Sequence, residues 1–231
     1  MKAFYKIIAG AAFMAIAAVS APKAAAQVSD PVMIGSNIEY NIGLGFGVNF
    51  PMGIDENYYD PMNKAWGFDF SFNFAEFYWS GLSQTEQFFL TLGIENKSFR
   101  MRDDWGYGMV PVTETLAMVP YADMKMSALR IFSWNAGMGY RHVFDDNFDI
   151  MVGPIVNFNT SSRMKTKYYD ADHKLQKEKI KGWNHHELVT IEAMIRLNIS
   201  GIGLYVKYNP FPLIEEAYGP VFTTWSAGIM L

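Results

Sequence analysis

The chain has no cysteine. Disulfides, thiolate metal sites and cysteine nucleophiles are excluded together. Beyond residue 27 it also lacks any apolar run approaching the ~20 residues a spanning helix needs, so a transmembrane helix is not available there. Charge is scarce, at 18% of residues, against roughly 25% in ordinary domains. Nor is there a basic excess: 19 Lys+Arg face 23 Asp+Glu, a net charge of −4. That balance argues against nucleic acid as a partner. Histidine numbers only 4, which leaves little to build a metal centre from. What fills the sequence instead is apolar and aromatic: 50% hydrophobic and 16% Phe, Trp and Tyr. Such a chain is not disordered. Its 231 residues suit one domain, or two small ones.

The first segment reads as a targeting signal. Lys2 and Lys6 precede an apolar run, Ile7 to Val19, and Ala24-Ala25-Ala26-Gln27 follows. A basic start, a short apolar core and an A-x-A end are the parts of a secretory signal peptide. Residues 1–26 are therefore expected to be removed before Gln27, leaving 27–231 as the working domain. No cysteine follows the apolar core, so no lipid attachment is expected.

From there the sequence alternates with a period of two. In 38–50 the even positions are Ile38, Tyr40, Ile42, Leu44, Phe46, Val48 and Phe50; the odd ones are Glu39, Asn41, Gly43, Gly45, Gly47 and Asn49. One face is large and apolar, the other polar or bare, as in a strand with unlike faces. The pattern returns in 66–75, 88–95, 148–159, 189–199, 202–209 and 221–231. The segment Met124–Tyr140 is less regular: Leu129 and Ile131 oppose the parity of Phe132, Trp134 and Met138, and a bulge near Ser133 would reconcile the halves. Counted so, there are eight strands. Short turns (79–85, 141–147, 200–201) alternate with longer connections (51–65, 101–123, 164–184, 210–220), the rhythm of an up-and-down meander. An open meander would leave two unpaired edges, so the last strand is expected to close on the first.

The faces fix the solvent. Eight strands enclose a space that small side chains just fill. Rows of Phe, Trp, Tyr, Leu and Ile do not fit there, whereas Gly, Asn, Ser and a few charges do. The apolar face must look outward into lipid, and the strands match the roughly 9–11 residues needed to cross a bilayer at a tilt. With the signal peptide, this predicts an all-β, eight-stranded antiparallel up-and-down transmembrane β-barrel in the bacterial outer membrane. Tyr40, Phe50, Trp66, Tyr78, Trp134, Tyr140, Tyr208 and Trp225 are expected in the interfacial girdles. Its surroundings would be outer-membrane lipid and lipopolysaccharide, reached through the barrel-insertion machinery.

Several segments resemble the outer-membrane beta-barrel domain family of Bacteroidota, the porin-family or PorT-like proteins. They are Leu129-Arg130-Ile131, Val152-Gly153-Pro154-Ile155-Val156-Asn157-Phe158, Gly201 to Tyr208 and Ser226 to Leu231. Family members often have Ile-Pro where this chain has Ile131-Phe132, and usually end in an aromatic residue where this one has Leu231. The resemblance implies fold and location, and it leaves activity open because the family is functionally heterogeneous.

Candidate sites follow from the barrel. Glu39, Asp69, Glu95, Lys97, Asp149, Glu192, Arg196 and Lys207 would face the lumen, where buried charges must pair. His185-His186-Glu187 is a weak metal pattern, because zinc wants three or four convergent ligands, and no metal or cofactor is expected. Ser161, Ser162, His173 and His185 offer the sole arrangement from which a hydrolase could be built; without a motif, no catalytic residue is assigned and the protein is not expected to be an enzyme. The loop 163–181 is basic and would suit lipopolysaccharide phosphates. The loop 101–123 is aromatic. Its Trp105 and Tyr107, with Arg100 and Arg102 beside them, are the candidates for binding an unidentified outer-membrane or extracellular partner; the alternative is that Trp105 and Tyr107 plug the mouth or rest on the lipopolysaccharide surface. The expected role is therefore structural or surface-binding, through the loops. A conduit for small apolar molecules and a lipid-modifying enzyme are the competing readings.

Overall fold

The computed structural model describes residues 32–33, 38–54, 66–83, 85–101, 105–110, 112–121, 123–183 and 185–231. The expected signal peptide lies outside them. The strands are β1 (Val32–Met33), β2 (Ile38–Met52), β3 (Gly67–Ser83), β4 (Glu86–Met101), β5 (Trp105–Val110), β6 (Thr115–Pro120), β7 (Met124–Asp145), β8 (Phe148–Tyr169), β9 (Leu175–Lys181), β10 (Val189–Ile199), β11 (Ile202–Asn209) and β12 (Thr223–Met230).

Eight of these strands pair antiparallel with their neighbours, in the order β2-β3-β4-β7-β8-β10-β11-β12, and β12 pairs back onto β2. The hydrogen bonds thus run in a ring. At its seam Trp225 lies opposite Phe50 and Ile229 opposite Phe46, and Leu231 and Leu44 exchange two backbone bonds of 2.9 and 2.8 Å. The seam removes the two edges that an open sheet would present.

The ring is polar inside and apolar outside. Phe46, Phe70, Phe88, Trp134, Phe158, Ile191 and Ile195 are exposed, while Asp69, Glu95, Lys97, Glu192, Arg196 and Lys207 are buried. Glycines on the inner face make room for longer neighbours. A Cβ on Gly43 would lie 2.6 Å from Glu76 Oε1, and the Tyr205 ring occupies the space beside Gly47 and Gly228.

Away from the strand ends, strict alternation breaks in β3 and in β8, with different results. In β3 the register slips between Asn73 and Ala75, so Phe74 is an extra residue. The parity inverts there: Asp69, Ser71 and Asn73 point inward before it, Glu76 and Tyr78 after it. Tyr78 is therefore an interior residue and not a girdle residue. In β7 the parity holds from Ser127 to Arg141. Leu129, Ile131, Ser133 and Asn135 all point inward, and Arg130 is exposed. An irregularity does lie at Phe132/Ser133, but the extra residue is Thr160 of the neighbouring strand. A bulge in β7 is not needed, because Leu129 and Ile131 have an apolar interior to enter.

Both long connections between 101 and 184 are built of β-structure. β5 pairs antiparallel with β6 as a hairpin, and β9 extends the ring by pairing with the far half of β8. At the end of the ring bearing these connections, the interior is closed by an apolar cluster. It comprises Phe99, Met101, Tyr107, Leu116, Leu129, Ile131, Met164, Trp183, Leu213, Ile214 and Phe222. The opposite end carries the short turns.

Candidate functional site

The interior charges are stacked in layers. Nearest the apolar plug, Lys97 pairs with Glu192 and, at 3.0 Å, with Glu95; Lys207 pairs with Glu95 and, at 2.9 Å, with Asp69. The Tyr205 hydroxyl donates to Asp69 at 3.1 Å. This layer joins β3 and β4 to β10 and β11 across the ring. It holds three carboxylates and two ammonium groups.

Next comes a bidentate pair. Arg196 donates to both Glu76 oxygens at 3.0 and 3.1 Å and to the Tyr78 oxygen at 2.7 Å. Tyr78 donates to Glu76 at 2.5 Å, and the Asn73 amide donates to Glu76 at 2.7 Å. Two parallel N–H···O bonds fix orientation as well as charge.

The last layer faces the short turns. Arg141 donates to Asp149 at 2.7 Å and to Gln87 at 2.9 Å, lies 3.4 Å from Glu39, and covers the Tyr78 ring. Asn198 donates to Asp149 at 2.5 Å. Glu39, Tyr78, Arg141, Asp149 and Asn198, together with Asn41, line a polar cavity of about 480 Å³ at this end.

The eight lumenal candidates therefore all lie in these layers. Glu76, Tyr78 and Arg141 belong with them and are not evident from the alternation. Glu76 and Tyr78 follow the Phe74 bulge, and Arg141 lies in a stretch read as a turn. A signal existed for the first: without a bulge, Glu76 would stand on the face of Phe70, Phe72 and Phe74.

The loop candidates are dispersed. Trp105 is partly exposed, but Tyr107 is buried. Its backbone N–H donates to Ser127 Oγ at 2.8 Å, and Thr166 Oγ1 donates to its carbonyl at 2.9 Å. Burial pushes the phenol of Tyr107 well above its ordinary range. Tyr107 is thus part of the plug and not a presented anchor. The cause is the pairing of β5 with β6, which turns Tyr107 and Leu116 toward the ring. Arg100 lies over the Phe68 ring, 5.1 Å from its centroid. Arg102 falls outside the described residues.

Ser162 and His186 meet at the Trp183 carbonyl without bonding to each other. Ser162 donates to the Trp183 carbonyl at 2.5 Å. His186 is buried, with its ring nitrogens 3.3 Å from the Trp183 carbonyl and 3.0 Å from that of Asn159. His185 stands 2.9 Å from Glu114 and stacks on Tyr218 at 3.6 Å. Among the described residues no group of three potential ligands gathers as a metal site.

No family model matches the chain, and no curated protein matches it. Among solved structures, Ail, the attachment invasion locus protein of Yersinia pestis, is similar at a TM-score of 0.34 and 9% identity, over 85% of this chain and 99% of that one.

Proposed function

We propose that the protein is an eight-stranded transmembrane β-barrel of the bacterial outer membrane, of the kind found in Bacteroidota, exported by residues 1–26. On this reading it serves as a structural or surface-binding protein through the end that carries its long connections. One observation carries this: the ring is inverted relative to a soluble protein. Phe, Trp and Ile rows face out, while lysines, arginines and carboxylates are sealed inside. In water that outer face would be a continuous exposed apolar band, far beyond what soluble monomers tolerate. In lipid it is the required surface.

The site supports binding better than its competitors. An apolar conduit needs an apolar path, and the layers between the ends are ionic. A lipid-modifying enzyme needs a nucleophile beside a base, and Ser162 and His186 are both turned onto backbone carbonyls.

The test is insertion. Residues 27–231 should refold into phosphocholine vesicles as a heat-modifiable species. Phe70→Arg and Ile191→Arg, both outward, should each impair insertion by about 2–4 kcal/mol if near the midplane. A protein that remains monomeric in plain buffer, with both arginine variants folding as well as the parent, would refute the membrane reading.

A further inference from the structure

The outward face of β7, β8 and β9 brings like charges into register. Arg130 lies directly opposite Arg163, and Arg163 opposite Lys181. One row further out Lys165 faces Lys179, and beyond that Lys167 faces Lys177. Directly opposed side chains on a sheet have Cβ atoms about 4.5–5.5 Å apart, and like charges there are destabilising.

The cations are not neutralised from within. Among the described residues none of the seven forms an ion pair with a carboxylate. Three nearby acids are engaged elsewhere. Glu178 has the other parity and accepts from Tyr168 at 2.7 Å and Tyr121 at 3.3 Å. Asp170 is bound within the turn, and Asp172 lies 3.7 Å from Lys174. Lys165 stands at the centre of this ladder. The Lys167 ammonium foremost, then partial burial and the charges of Lys179, Arg130 and Lys177, hold it below the ordinary lysine range.

The ladder has a defined place relative to the apolar band. Arg130 is two residues from Phe132 and four from Trp134, on one outward face of β7. Successive same-face residues on a strand rise by roughly 7 Å. The first basic row therefore stands one step above the band, and the three rows span roughly 13 Å. A single layer of phospholipid heads would reach only the first row. A headgroup with phosphates at more than one height would meet all three.

We propose that the outward face of β7–β8–β9 binds the phosphates of a phosphorylated glycolipid in the outer leaflet. This rests on the membrane reading above, with the long connections outside. The apolar band holds the acyl chains, and the ladder neutralises the headgroup above them. Lysines suit this as point charges that need no fixed fork geometry.

The experiment uses residues 27–231 refolded in phosphocholine nanodiscs, with and without a purified phosphorylated glycolipid or its dephosphorylated form. Bound glycolipid is measured after washing. The parent should retain the phosphorylated form on the order of tenfold better than the dephosphorylated one, and added salt should erode the difference. The combined variant K165Q/K167Q/K177Q/K179Q should insert as well as the parent, because it removes repulsion, yet lose the preference. Equal retention of both lipids by the parent overturns the inference and leaves the barrel reading intact. So does an unchanged preference in the variant. Inositol hexakisphosphate binding to the parent without any lipid preference assigns the face to a soluble polyanion and also overturns it. Failure to insert into phosphocholine at all overturns the membrane reading, and this inference with it.

Discussion

Lys207 stands between Asp69 and Glu95, and Lys97 between Glu95 and Glu192. With three acids and two ammonium groups, removing one negative charge brings the layer to neutrality, whereas removing a lysine leaves two charges unbalanced. Asp69→Asn should therefore refold with stability close to the parent. Lys207→Met should lose about 3–5 kcal/mol, the range for breaking a buried pair from one side. Urea titration in detergent checks both, and equal losses would show that charge balance is not what holds this layer. A second residue-scale prediction concerns Asp170. Its carboxylate accepts the backbone N–H of Asp172 at 3.0 Å and of Lys174 at 2.9 Å, and the Gln176 amide at 2.5 Å. The Gln176 bond first, then the backbone bonds, hold its carboxyl below the usual range. Because the folded value is depressed, the contribution is present above the ordinary carboxylate range near 4. It is lost as pH falls through the lowered value. Asp170→Ala should accelerate proteolysis at the β8–β9 turn several-fold at neutral pH, and the two proteins should converge in acid. An unchanged cleavage rate at neutral pH would remove this role.

At the scale of elements, the β5–β6 hairpin is the informative one. Its aromatic content, read from the sequence, fits either a partner-binding surface or a plug over the mouth. The structure places Tyr107 and Leu116 in the plug and leaves Trp105, Val110, Val112 and Val119 at the surface. Deleting 104–118 behind a short glycine-rich turn should leave a heat-modifiable ring, since none of its eight pairings involves the hairpin. It should also lower the melting temperature by several degrees and uncap Leu129, Ile131 and Met164. A deletion variant with the parent's melting temperature would show that the plug adds no stability. Periodicity fails here for a physical reason. Alternation reports that a residue has two unlike neighbours, and within a capping hairpin the unlike neighbours are the mouth and the solvent, not the inside and outside of the ring. The ring itself was legible because its outer and inner faces have opposite chemistry on consecutive residues over long stretches, as in Ile38 to Phe50. It became illegible at Phe74, where one extra residue inverts the faces. The pairing of Lys97 with Glu192 depends on register across the ring, and no local pattern contains it.

At the scale of the whole molecule, two unlike ends enclose three ionic layers. One end is sealed by aromatic and aliphatic side chains, and the other holds a polar cavity of about 480 Å³. Eight-stranded rings of this kind are filled rather than hollow, so the intact protein should give no stable ohmic conductance in a planar bilayer. Reproducible conductance would make the lumenal charges a selectivity element. The ends also have a predicted orientation. Both β1 and the C-terminal residue Leu231 lie at the short-turn end, which the barrel reading assigns to the periplasm. Protease added to intact cells should cut within 101–123 or 164–184. Cleavage confined to 84–85, 146–147 or 200–201 would reverse the orientation.

The layered charges also constrain the order in which the chain can assemble. Asp69, Glu76, Glu95 and Lys97 come from β3 and β4, an excess of acid. Glu192, Arg196 and Lys207 come from β10 and β11, an excess of base. Lys97 and Glu192 are separated by 95 positions, Arg196 and Glu76 by 120. Neither half can satisfy itself, so a growing sheet that stops at β8 carries bare carboxylates with no counterpart. The late strands bring the missing cations. Bringing β10 and β11 across to β3 and β4 therefore offsets part of this acid charge, and the ring has an electrostatic reason to finish as well as a geometric one.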